Sequence, residues 1–328
     1  MGTTASMKIL TFNHHESYLC ALALTGHDFD VVCRYKDLDL SWAKNQKALP
    51  KNMRLVDFDD HVRSNLKTGK YDAVICHTLK NLMWLFWYRN TTYVFAAHIP
   101  LFFTSVPLFF KSSLKKMSYL FFKSTHRTLF VADSEFKRKM WREEGESIVL
   151  TPGDFPPIPE GVGYKTIINV GNRIKERGEE LGFRDLEPLL SRFPIQVIGN
   201  NPEIKGAFKP EDFQQYQSAL QKGRIYLYTV RFPHGDGYNT AMLEAMKMGM
   251  AVVTIKNPSS PIKHGHNGLV GENAQELGEH LRYLLEHPKE VDRMGQKAAE
   301  TIDELFSNKI FKNRWNRVLA SIGSQPRA

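Results

Sequence analysis

Short apolar runs alternate with amphipathic stretches along the first half of the chain. Six runs of four to six residues, rich in Val, Ile and Phe, are separated by segments of helical length. Strands buried on both faces of a parallel sheet have this pattern. A βαβ domain is therefore predicted for this half. Its strands are expected at 8–12, 30–33, 71–76, 92–97, 128–132 and 147–150.

The second half repeats this alternation. Between the halves, residues 151–161 hold four prolines and two glycines. Each proline removes a backbone donor and biases the preceding residue away from helix, so this segment is predicted to be the interdomain linker. The expected strands are 166–170, 195–198, 225–230 and 251–255, and the expected helices are 240–248, 274–286, 291–305 and 308–322.

Two doubly wound parallel sheets define an α/β protein of two Rossmann-like domains. In such folds ligands bind outside the carboxyl ends of the strands, where helix N-termini favour phosphates. A ligand cleft is expected between the domains. The predicted divisions are an N-terminal domain at 1–152, a linker at 153–161, a C-terminal domain at 162–305, and a helix at 306–328 that packs back towards the N-terminal domain.

Length and composition agree with this organisation. The chain has 328 residues, about twice a common domain length, and 42% of them are apolar, which suffices for two cores. Cys20, Cys33 and Cys76 lack C-x-x-C spacing, so neither a disulfide framework nor a zinc site is predicted, and a reducing, cytoplasmic location is favoured. The first six residues lack the basic and apolar regions of a signal peptide and are interpreted as a tail.

The net charge of +9 is concentrated in one region. Residues 102–142 contain nine Lys or Arg and two acidic residues. Within it, segment 101–123 is apolar and cationic together. Its ten apolar-leaning residues fall short of the roughly 20 that span a bilayer. Two interpretations remain, a core helix with a basic outer face and an interfacial helix on an anionic membrane. Nucleic acid is not a predicted partner, since no binding module accompanies the charge.

The most informative segment is 234–254. Asp236 lies between two glycines in a loop after a predicted strand, and Glu244 lies about one turn inside the following helix, so both can face one ligand at the helix N-terminus. A carboxylate can accept two hydrogen bonds from the vicinal hydroxyls of a sugar. The backbone amides of 238–240 suit a pyrophosphate. From the spacing alone, a helix-capping Asp236 and a solvated Glu244 remain the alternative.

This segment resembles the donor site of the retaining glycosyltransferases of family 4, which have the GT-B fold. Their signature is E-x7-E followed by Ala-Met, a glycine and a Val-Val strand. The resemblance extends to Gly265-His-Asn-Gly-Leu-Val-Gly271, Met294-Gly295 and the helix with Trp315. It implies that Glu244 holds the donor ribose and that the acid at 236 contacts the transferred sugar. Position 236 is Asp here and reaches about 1.5 Å less than Glu, which leaves the donor sugar open.

The resemblance implies further site residues. The loop from Asn169 to Gly178 is similar to the family's basic diphosphate loop with altered spacing, so Arg173 and Arg177, with Lys175 in reserve, are expected to neutralise the leaving diphosphate. An ordinary charged loop is the alternative. The remaining donor-side residues are Gly237, Tyr238, Asn239 and Thr240.

Three histidines belong to the N-terminal half of the expected site. His98 follows an apolar strand where the family carries a histidine near the reaction centre. His14 and His15 occupy the first βα turn, where acceptor contact and a solvated turn are both open interpretations. Neither a Ser/His/Asp relay nor a His-x-x-x-His metal pair is evident, so no metal or cofactor is expected.

The function expected from the resemblance is transfer of a hexosyl unit, with retention, from a nucleoside-diphosphate sugar to an acceptor hydroxyl. Glycan, polysaccharide or glycolipid synthesis would use this reaction. His98 and Asp236 are the expected catalytic residues. The alternatives are a non-catalytic sugar-nucleotide-binding scaffold and a GT-B nucleotide-sugar epimerase. A cytoplasmic enzyme, peripheral on the membrane through 101–123, is the expected setting. The nucleotide base, the sugar and the acceptor are not specified by the sequence.

Overall fold

A computed structural model describes residues 6–35, 38–39, 41–42, 47–101, 106–159 and 161–323. The chain divides into two compact units. One takes in the described residues up to Leu150 and those from Asn308 onwards, and the other is Thr151–Ser307. The C-terminal helix therefore belongs to the first unit, although it follows the second in sequence.

Within its described residues, the first unit contains one eight-stranded sheet. Its strands pair in the order β3-β2-β1-β5-β6-β7-β8, with β4 also paired to β2. All pairs are parallel except β2 with β3. The strands are β1 (Lys8–Phe12), β2 (Asp28–Tyr35), β3 (Leu38–Asp39), β4 (Met53–Asp57), β5 (Ala73–Cys76), β6 (Thr92–Ala97), β7 (Thr128–Ala132) and β8 (Glu146–Ser147).

Six helices cover the described part of this sheet. They are α1 (Glu16–Ala23), α2 (Asp60–Lys67), α3 (Leu79–Trp84), α4 (Val106–Thr125), α5 (Glu135–Trp141) and the C-terminal α12 (Asn308–Gly323). Alternate residues of each strand enter opposite cores, because side chains of a strand point to opposite faces. Ile9 packs in the core beneath α1 and α12, whereas Leu10 packs in the core beneath α2, α3 and α4.

The second unit has a five-stranded parallel sheet in the order β10-β9-β11-β12-β13 within its described residues. The strands are β9 (Ile167–Val170), β10 (Ile195–Ile198), β11 (Ile225–Tyr228), β12 (Ala251–Ile255) and β13 (Gly268–Gly271). The helices are α6 (Ile174–Arg177), α7 (Phe183–Leu190), α8 (Phe213–Leu220), α9 (Thr240–Lys247), α10 (Ala274–Glu286) and α11 (Pro288–Leu305), with a 3₁₀ turn at Gly178–Leu181.

The predicted α/β class with two parallel sheets is confirmed. Three strands were not predicted, β3, β4 and β13. Met53–Asp57 lies on the outer side of β2, so it is only partly buried and lacks a continuous apolar run. Gly268–Gly271 begins and ends with glycine, which weakens its strand signal. The predicted strand at 147–150 is wrong in its bounds, because only Glu146 and Ser147 pair with β7.

The C-terminal helix α12 closes one core of the first unit. Phe311, Trp315 and Leu319 recur at i, i+4 and i+8 and are each at most 1% exposed. They pack with α1, where the ring of Tyr18 meets Phe311 at 5.9 Å and Trp315 at 6.3 Å. Arg314 Nη1 also donates to the carbonyl of Ser147 at 2.8 Å. The helix is therefore a structural part of the first sheet's core.

We expect Trp315→Ala to destabilise the first unit by about 3–5 kcal/mol, because a large, fully buried ring is lost and a cavity remains. Urea unfolding followed by circular dichroism should show the transition of this unit at lower urea. Arg317→Ala, at an exposed position of the same helix, is the matched control and should stay within about 0.5 kcal/mol of the parent. An unfolding midpoint unchanged in Trp315→Ala would contradict the packing role.

Candidate functional site

Four polar side chains of the first unit stand at the carboxyl ends of neighbouring strands. His14 lies just beyond β1, and His77, His98 and Asp133 directly follow β5, β6 and β7. These strands are adjacent in the order β1-β5-β6-β7. Parallel neighbours end at the same edge of a sheet, and ligands of doubly wound folds bind beside that edge. The sheet thus gathers these side chains into one cluster, of which sequence reasoning identified His14 and His98.

Hydrogen bonds connect most of this cluster in a line. The Oγ1 of Thr11 lies 2.9 Å from His77 Nε2, and His77 Nδ1 lies 2.9 Å from His98 Nε2. His98 Nδ1 is 3.3 Å from Asp133 Oδ2, and Lys137 Nζ reaches Asp133 Oδ1 at 2.8 Å. Both nitrogens of His98 therefore have partners, and its ring orientation is fixed on two sides.

Along this line, the shifted pKa values favour a neutral His77 and a charged Asp133. Burial, followed by the charges of His98, His14 and His15, holds the pKa of His77 well below its usual value. Burial works to raise the pKa of Asp133, but Lys137 and the hydrogen bond from His98 outweigh it, so that pKa is lowered. With His77 neutral, all three bonds form when Thr11 donates to Nε2 of His77, Nδ1 of His77 donates to Nε2 of His98, and Nδ1 of His98 donates to Asp133.

The hydroxyl of Thr11 also reaches the carbonyl of Ile75 at 3.2 Å. The line therefore runs from a backbone carbonyl to the Asp133–Lys137 ion pair, and it holds the imidazole of His98 in one orientation.

His14 and His15 have different surroundings. The ring of His14 stacks on His98 at a centroid distance of 5.8 Å and on His77 at 6.0 Å. Tyr18 packs edge-on against His98 at 4.7 Å. His15 instead caps α1, since its Nδ1 accepts from the backbone N–H of Tyr18 at 3.2 Å. His14 is therefore part of the cluster, whereas His15 has a structural task at the helix start.

In the second unit, hydrogen bonds hold the two residues that flank Asp236 in its loop. Asn257 Nδ2 donates to the carbonyl of Gly235 at 3.1 Å, and the N–H of Gly237 donates to Ser259 Oγ at 2.9 Å. A Cβ at Gly237 would approach the backbone nitrogen of Ser260 to 2.4 Å, so only glycine fits there. The loop after β12 thus positions Asp236, which is 8% exposed.

Helix α9 begins at this loop with a capped N-terminus. Asn239 Oδ1 accepts from the N–H of Met242 at 2.7 Å, and the hydroxyl of Tyr226 is 3.3 Å from the same oxygen. The capping function is therefore performed by Asn239, whereas the sequence alternative assigned it to Asp236. Thr240 is the first residue of α9, and the ring of Tyr238 lies 6.0 Å from that of Phe306.

Glu244 is buried and hydrogen-bonded. Its Oε2 accepts from the hydroxyl of Tyr216 on α8 at 2.6 Å, and the residue is 5% exposed. Burial and the Glu244 charge raise the pKa of Tyr216 well above its usual value, so the tyrosine stays a donor. The alternative of a solvated Glu244 is wrong. The partner Tyr216 had no recognisable signal in the sequence, because 28 positions separate the two residues.

The predicted diphosphate cations form local ion pairs. Arg173 pairs with Glu176, with Nη2 to Oε1 at 2.5 Å, and Arg177 pairs with Glu180 at 3.3 Å. Both arginines are about half exposed or more, and Lys175 lies 6.0 Å from the ring of Phe183. Exposed pairs of this kind are screened by water and contribute little to stability, so the arginines can leave the glutamates to contact an anion.

A further arginine beside the Asp236 loop was missed in the sequence. Arg231 follows β11 and contacts Asp185 with two parallel bonds, at 2.5 Å from Nε and 2.8 Å from Nη2. Asp185 is 4% exposed. This bond pattern fixes the start of the loop through a planar fork. A contact 46 residues apart in sequence leaves no local pattern from which to predict it.

Helix α4 presents an apolar surface to solvent. Phe110, Leu114, Met117 and Phe121 lie at i, i+4, i+7 and i+11 and are 56–68% exposed. We call these four residues the α4 stripe. Lys116 and Lys123 turn away from it to pair with the buried Glu143 at 2.5 and 2.6 Å. The interpretation as a core helix is correct for the inner face, where Tyr119 and Phe122 are buried, but the outer face is mainly apolar where a basic one was expected.

Most of the second unit matches a known protein family. Residues 183–320, under half of the chain, match the model of a family described as glycosyl transferase-like. The match begins at α7 and includes the Asp236 loop, α9 and most of α12. A comparison with curated proteins finds no match.

Several solved structures have a fold similar to that of this chain. HepE of Anabaena, in complex with UDP and glucose, matches with a TM-score of 0.71 at 15% identity, over 96% of this chain and 100% of that one. Sucrose-phosphate synthase from Thermosynechococcus elongatus gives 0.68 at 11%, over 97% and 99%. A putative UDP-N-acetylglucosamine 2-epimerase from Listeria monocytogenes gives 0.55 at 13%, over 99% of both chains. These likenesses assign the GT-B fold.

None of the described helices combines the length and hydropathy needed to cross a bilayer. In the same part of the chain, no three His, Cys, Asp or Glu side chains are grouped so as to hold a metal ion.

Acidification below about pH 6.5 should destabilise the first unit through His77. The lowered pKa of this ring in the folded state means that the unfolded chain, with an ordinary histidine pKa near 6.5, binds more protons. Stability then falls with decreasing pH, by up to about 1.4 kcal/mol per unit for this one group. His77→Gln should remove that part of the slope in urea unfolding measured from about pH 7 to pH 5.

The parent and the His77→Gln protein share all other histidines of the unit. The difference between their slopes of unfolding free energy against pH therefore reports the titration of His77. Thr11→Val is the matched control, because it removes the hydrogen bond at Nε2 and keeps the titrating ring. It should lower stability and retain the slope. Equal slopes for His77→Gln and the parent would show that the ring is not the source of the pH dependence.

Proposed function

We propose that the chain is a retaining glycosyltransferase that moves a hexosyl unit from a nucleoside-diphosphate sugar to an acceptor hydroxyl. The observation that carries the proposal is the buried Glu244 on α9, directly after the Asp236 loop, within the segment that matches the glycosyl transferase-like family model. The GT-B fold shared with HepE, whose structures hold UDP, glucose and UDP-glucose, supports a UDP-sugar as the first donor to test.

In the proposed donor site, Glu244 binds the ribose hydroxyls and Asp236 orients the sugar. Tyr216 supports this role by donating to Oε2, which fixes the orientation of the carboxylate. The N-terminus of α9 and the side chains of Arg173 and Arg177 neutralise the diphosphate as its charge grows, with Lys175 nearby. The chemistry invoked here uses side-chain and helix charge and no cofactor.

In the proposed reaction, His98 stands beside the anomeric carbon. Glycosyl transfer passes through a transition state with positive charge on the sugar ring. The charged Asp133 carboxylate behind His98 favours positive charge nearby, which is why the line from Thr11 to Asp133 supports the assignment. His14, stacked on His98, is proposed to contact the acceptor.

We propose further that the α4 stripe rests on an anionic membrane surface, which would place a membrane-derived acceptor within reach. Four large exposed side chains in one row support this, since solvent-exposed apolar patches mark interaction sites. Lys111 and Lys115 lie on the same helix. The pKa of Lys115 is lowered by burial and by the Lys111 charge, a repulsion that anionic lipid would relieve.

Glu244→Ala is expected to weaken UDP binding by roughly ten- to hundredfold, because charge-assisted bonds worth about 1.5–3 kcal/mol are lost. Calorimetric titration with UDP measures it. Glu244→Gln keeps the shape of the side chain and should weaken binding less, and Glu279→Ala, an exposed position on α10, is the control. Unchanged affinity in a folded Glu244→Ala protein would rule out the ribose assignment.

Turnover separates the candidate functions. The parent protein, incubated with UDP-glucose and a mixed acceptor panel, is expected to form a glycoside with retained configuration. Binding of UDP without any turnover would favour the scaffold alternative. A changed nucleotide sugar in the absence of acceptor would favour an epimerase, an activity named for one structure of the same fold.

For the membrane proposal, the triple variant Phe110→Ser, Leu114→Ser, Met117→Ser should bind phosphatidylglycerol vesicles at least about tenfold less tightly in sedimentation assays. Val162→Ser, Tyr283→Ser and Leu305→Ser, at exposed apolar positions of the second unit, form the matched control. The parent should prefer these vesicles over neutral phosphatidylcholine, since each lysine near an anionic surface adds about 1 kcal/mol. Equal binding by the parent and the stripe variant would refute the contact.

A further inference from the structure

A pocket with aromatic walls lies in the first unit between α2 and α3, and neither the sequence nor the proposed donor site accounts for it. Its volume is about 530 Å³. Pockets that bind small ligands typically have about 300–1,000 Å³. We call it the α2–α3 pocket. Most of its lining is formed by four aromatic and two cationic residues, Tyr35, Phe58, Trp84, Trp87, Arg63 and Lys67.

The aromatic walls are fixed by packing against each other. Tyr35 and Trp84 stack with centroids 3.8 Å apart and an interplanar angle of 13°, and Phe58 meets Tyr35 at 5.1 Å. Trp87 completes the wall and is 83% exposed, an unusual state for so large an apolar ring. A rigid pair beside one exposed ring provides faces on which a flat or ring-shaped ligand can stack at low entropic cost.

The charges of the pocket favour an anion. Arg63 and Lys67 recur at i and i+4 on α2 and line the pocket together with Ser64. Asp60 also lines it and pairs with Arg63 at 3.2 Å, yet its side chain is 97% exposed, so the pair is weak. Outside the lining, Lys80 Nζ lies 5.3 Å from the ring of Trp84 and adds positive charge.

The pocket adjoins the histidine cluster through Phe12. The Phe12 ring lies 5.9 Å from Trp84 and 6.5 Å from Phe58, behind the pocket wall. Two residues later the same chain segment presents His14, whose ring stacks on His98. Tyr35 and Phe58, at the carboxyl ends of β2 and β4, therefore place one end of the pocket towards the edge that carries His14, whereas Lys67 places the other end at the far end of α2.

We propose that the α2–α3 pocket is an acceptor subsite that binds a pyranose ring carrying an anionic group. This inference rests on the proposed function. The aromatic faces stack on the apolar face of the sugar, Ser64 can bond its hydroxyls, and Arg63 and Lys67 bind the carboxylate or phosphate. A quaternary ammonium ligand, which aromatic boxes also hold, would be repelled by the two cations that face this pocket.

Fluorescence titration of the full chain tests the subsite with trigalacturonate, glucose 6-phosphate and maltotriose. Trigalacturonate is expected to bind about tenfold more tightly than neutral maltotriose, as one charge-assisted bond predicts. Trp87→Ala should lower both affinities by about three- to tenfold through lost stacking. The double variant Arg63→Gln, Lys67→Gln should abolish the preference for the anion and leave maltotriose binding unchanged.

Tyr283→Ala and Arg282→Gln, at exposed positions of α10 in the second unit, are the matched controls and should bind like the parent. No binding of either anionic sugar, or binding that Trp87→Ala leaves unchanged, would overturn the subsite. Loss of phosphatidylglycerol vesicle binding in the double variant, without sugar binding by the parent, would assign a lipid phosphate and also overturn it.

UDP titration of the same variants separates the two proposals. Retained UDP affinity with the expected sugar results supports the subsite. Reduced UDP affinity in Trp87→Ala would assign the pocket to a nucleotide and overturn it. Sugar binding by a protein that neither binds UDP nor turns over UDP-glucose would contradict the proposed function alone.

Discussion

Burial of parallel strands on both faces is the constraint on which the rest of the structure depends. Such strands all run in one direction, so their carboxyl ends and the residues that follow them meet at one edge. In the first unit this edge gathers His14, His77, His98 and Asp133 from four separate stretches of chain. In the second unit the corresponding edge carries the Arg173 loop and the Asp236 loop. Both sets of polar residues are a consequence of strand direction.

Several charged groups near these sites are buried, and each is paired with a side chain of opposite charge from another element. Glu143 receives Lys116 and Lys123, and burial, which would raise its pKa, is outweighed so that the pKa is lowered. Arg231 gives Asp185 a two-bond contact. Removing one partner of such a pair leaves an uncompensated buried charge, which costs about 3–5 kcal/mol. These pairs therefore fix the loops and helices around the sites as well as neutralising charge.

The same pairing explains the surface of α4. Because Lys116 and Lys123 turn inward to Glu143, two of the cations that the sequence places on this helix are withdrawn from the face that carries the α4 stripe. What remains outside is predominantly apolar, with Lys111 and Lys115 beside it. In the proposed membrane contact, this apolar row would bind mainly through buried area, and the lysines would select the charge of the lipid.

Features of the structure can be predicted from the sequence when their signal lies in neighbouring residues, and are missed when they depend on contacts between distant residues. Strands such as 92–97 are predicted to the residue because apolar runs and β-propensity are local. His98 is found because it follows such a strand at a position where the resembled family carries a histidine. His77 also follows a strand but has no counterpart in that resemblance, and the significance of His77 and Tyr216 lies in contacts with His98 and Glu244 made only after folding. The aromatic pocket is missed for the same reason, because Tyr35 and Trp84 stack across 49 positions of sequence.

The shortened acid at position 236 acquires a physical meaning from the loop that holds it. A side chain shorter by one methylene loses about 1.5 Å of reach, which a mobile loop could recover by moving towards the sugar. Here Gly235 is bonded to Asn257 and Gly237 to Ser259, and Gly237 is packed too closely on Ser260 to carry a Cβ. Because the backbone on both sides of Asp236 is held, the difference in reach must be met by the ligand. Under the proposed function, the carboxylate would select a sugar whose hydroxyl extends further into the site.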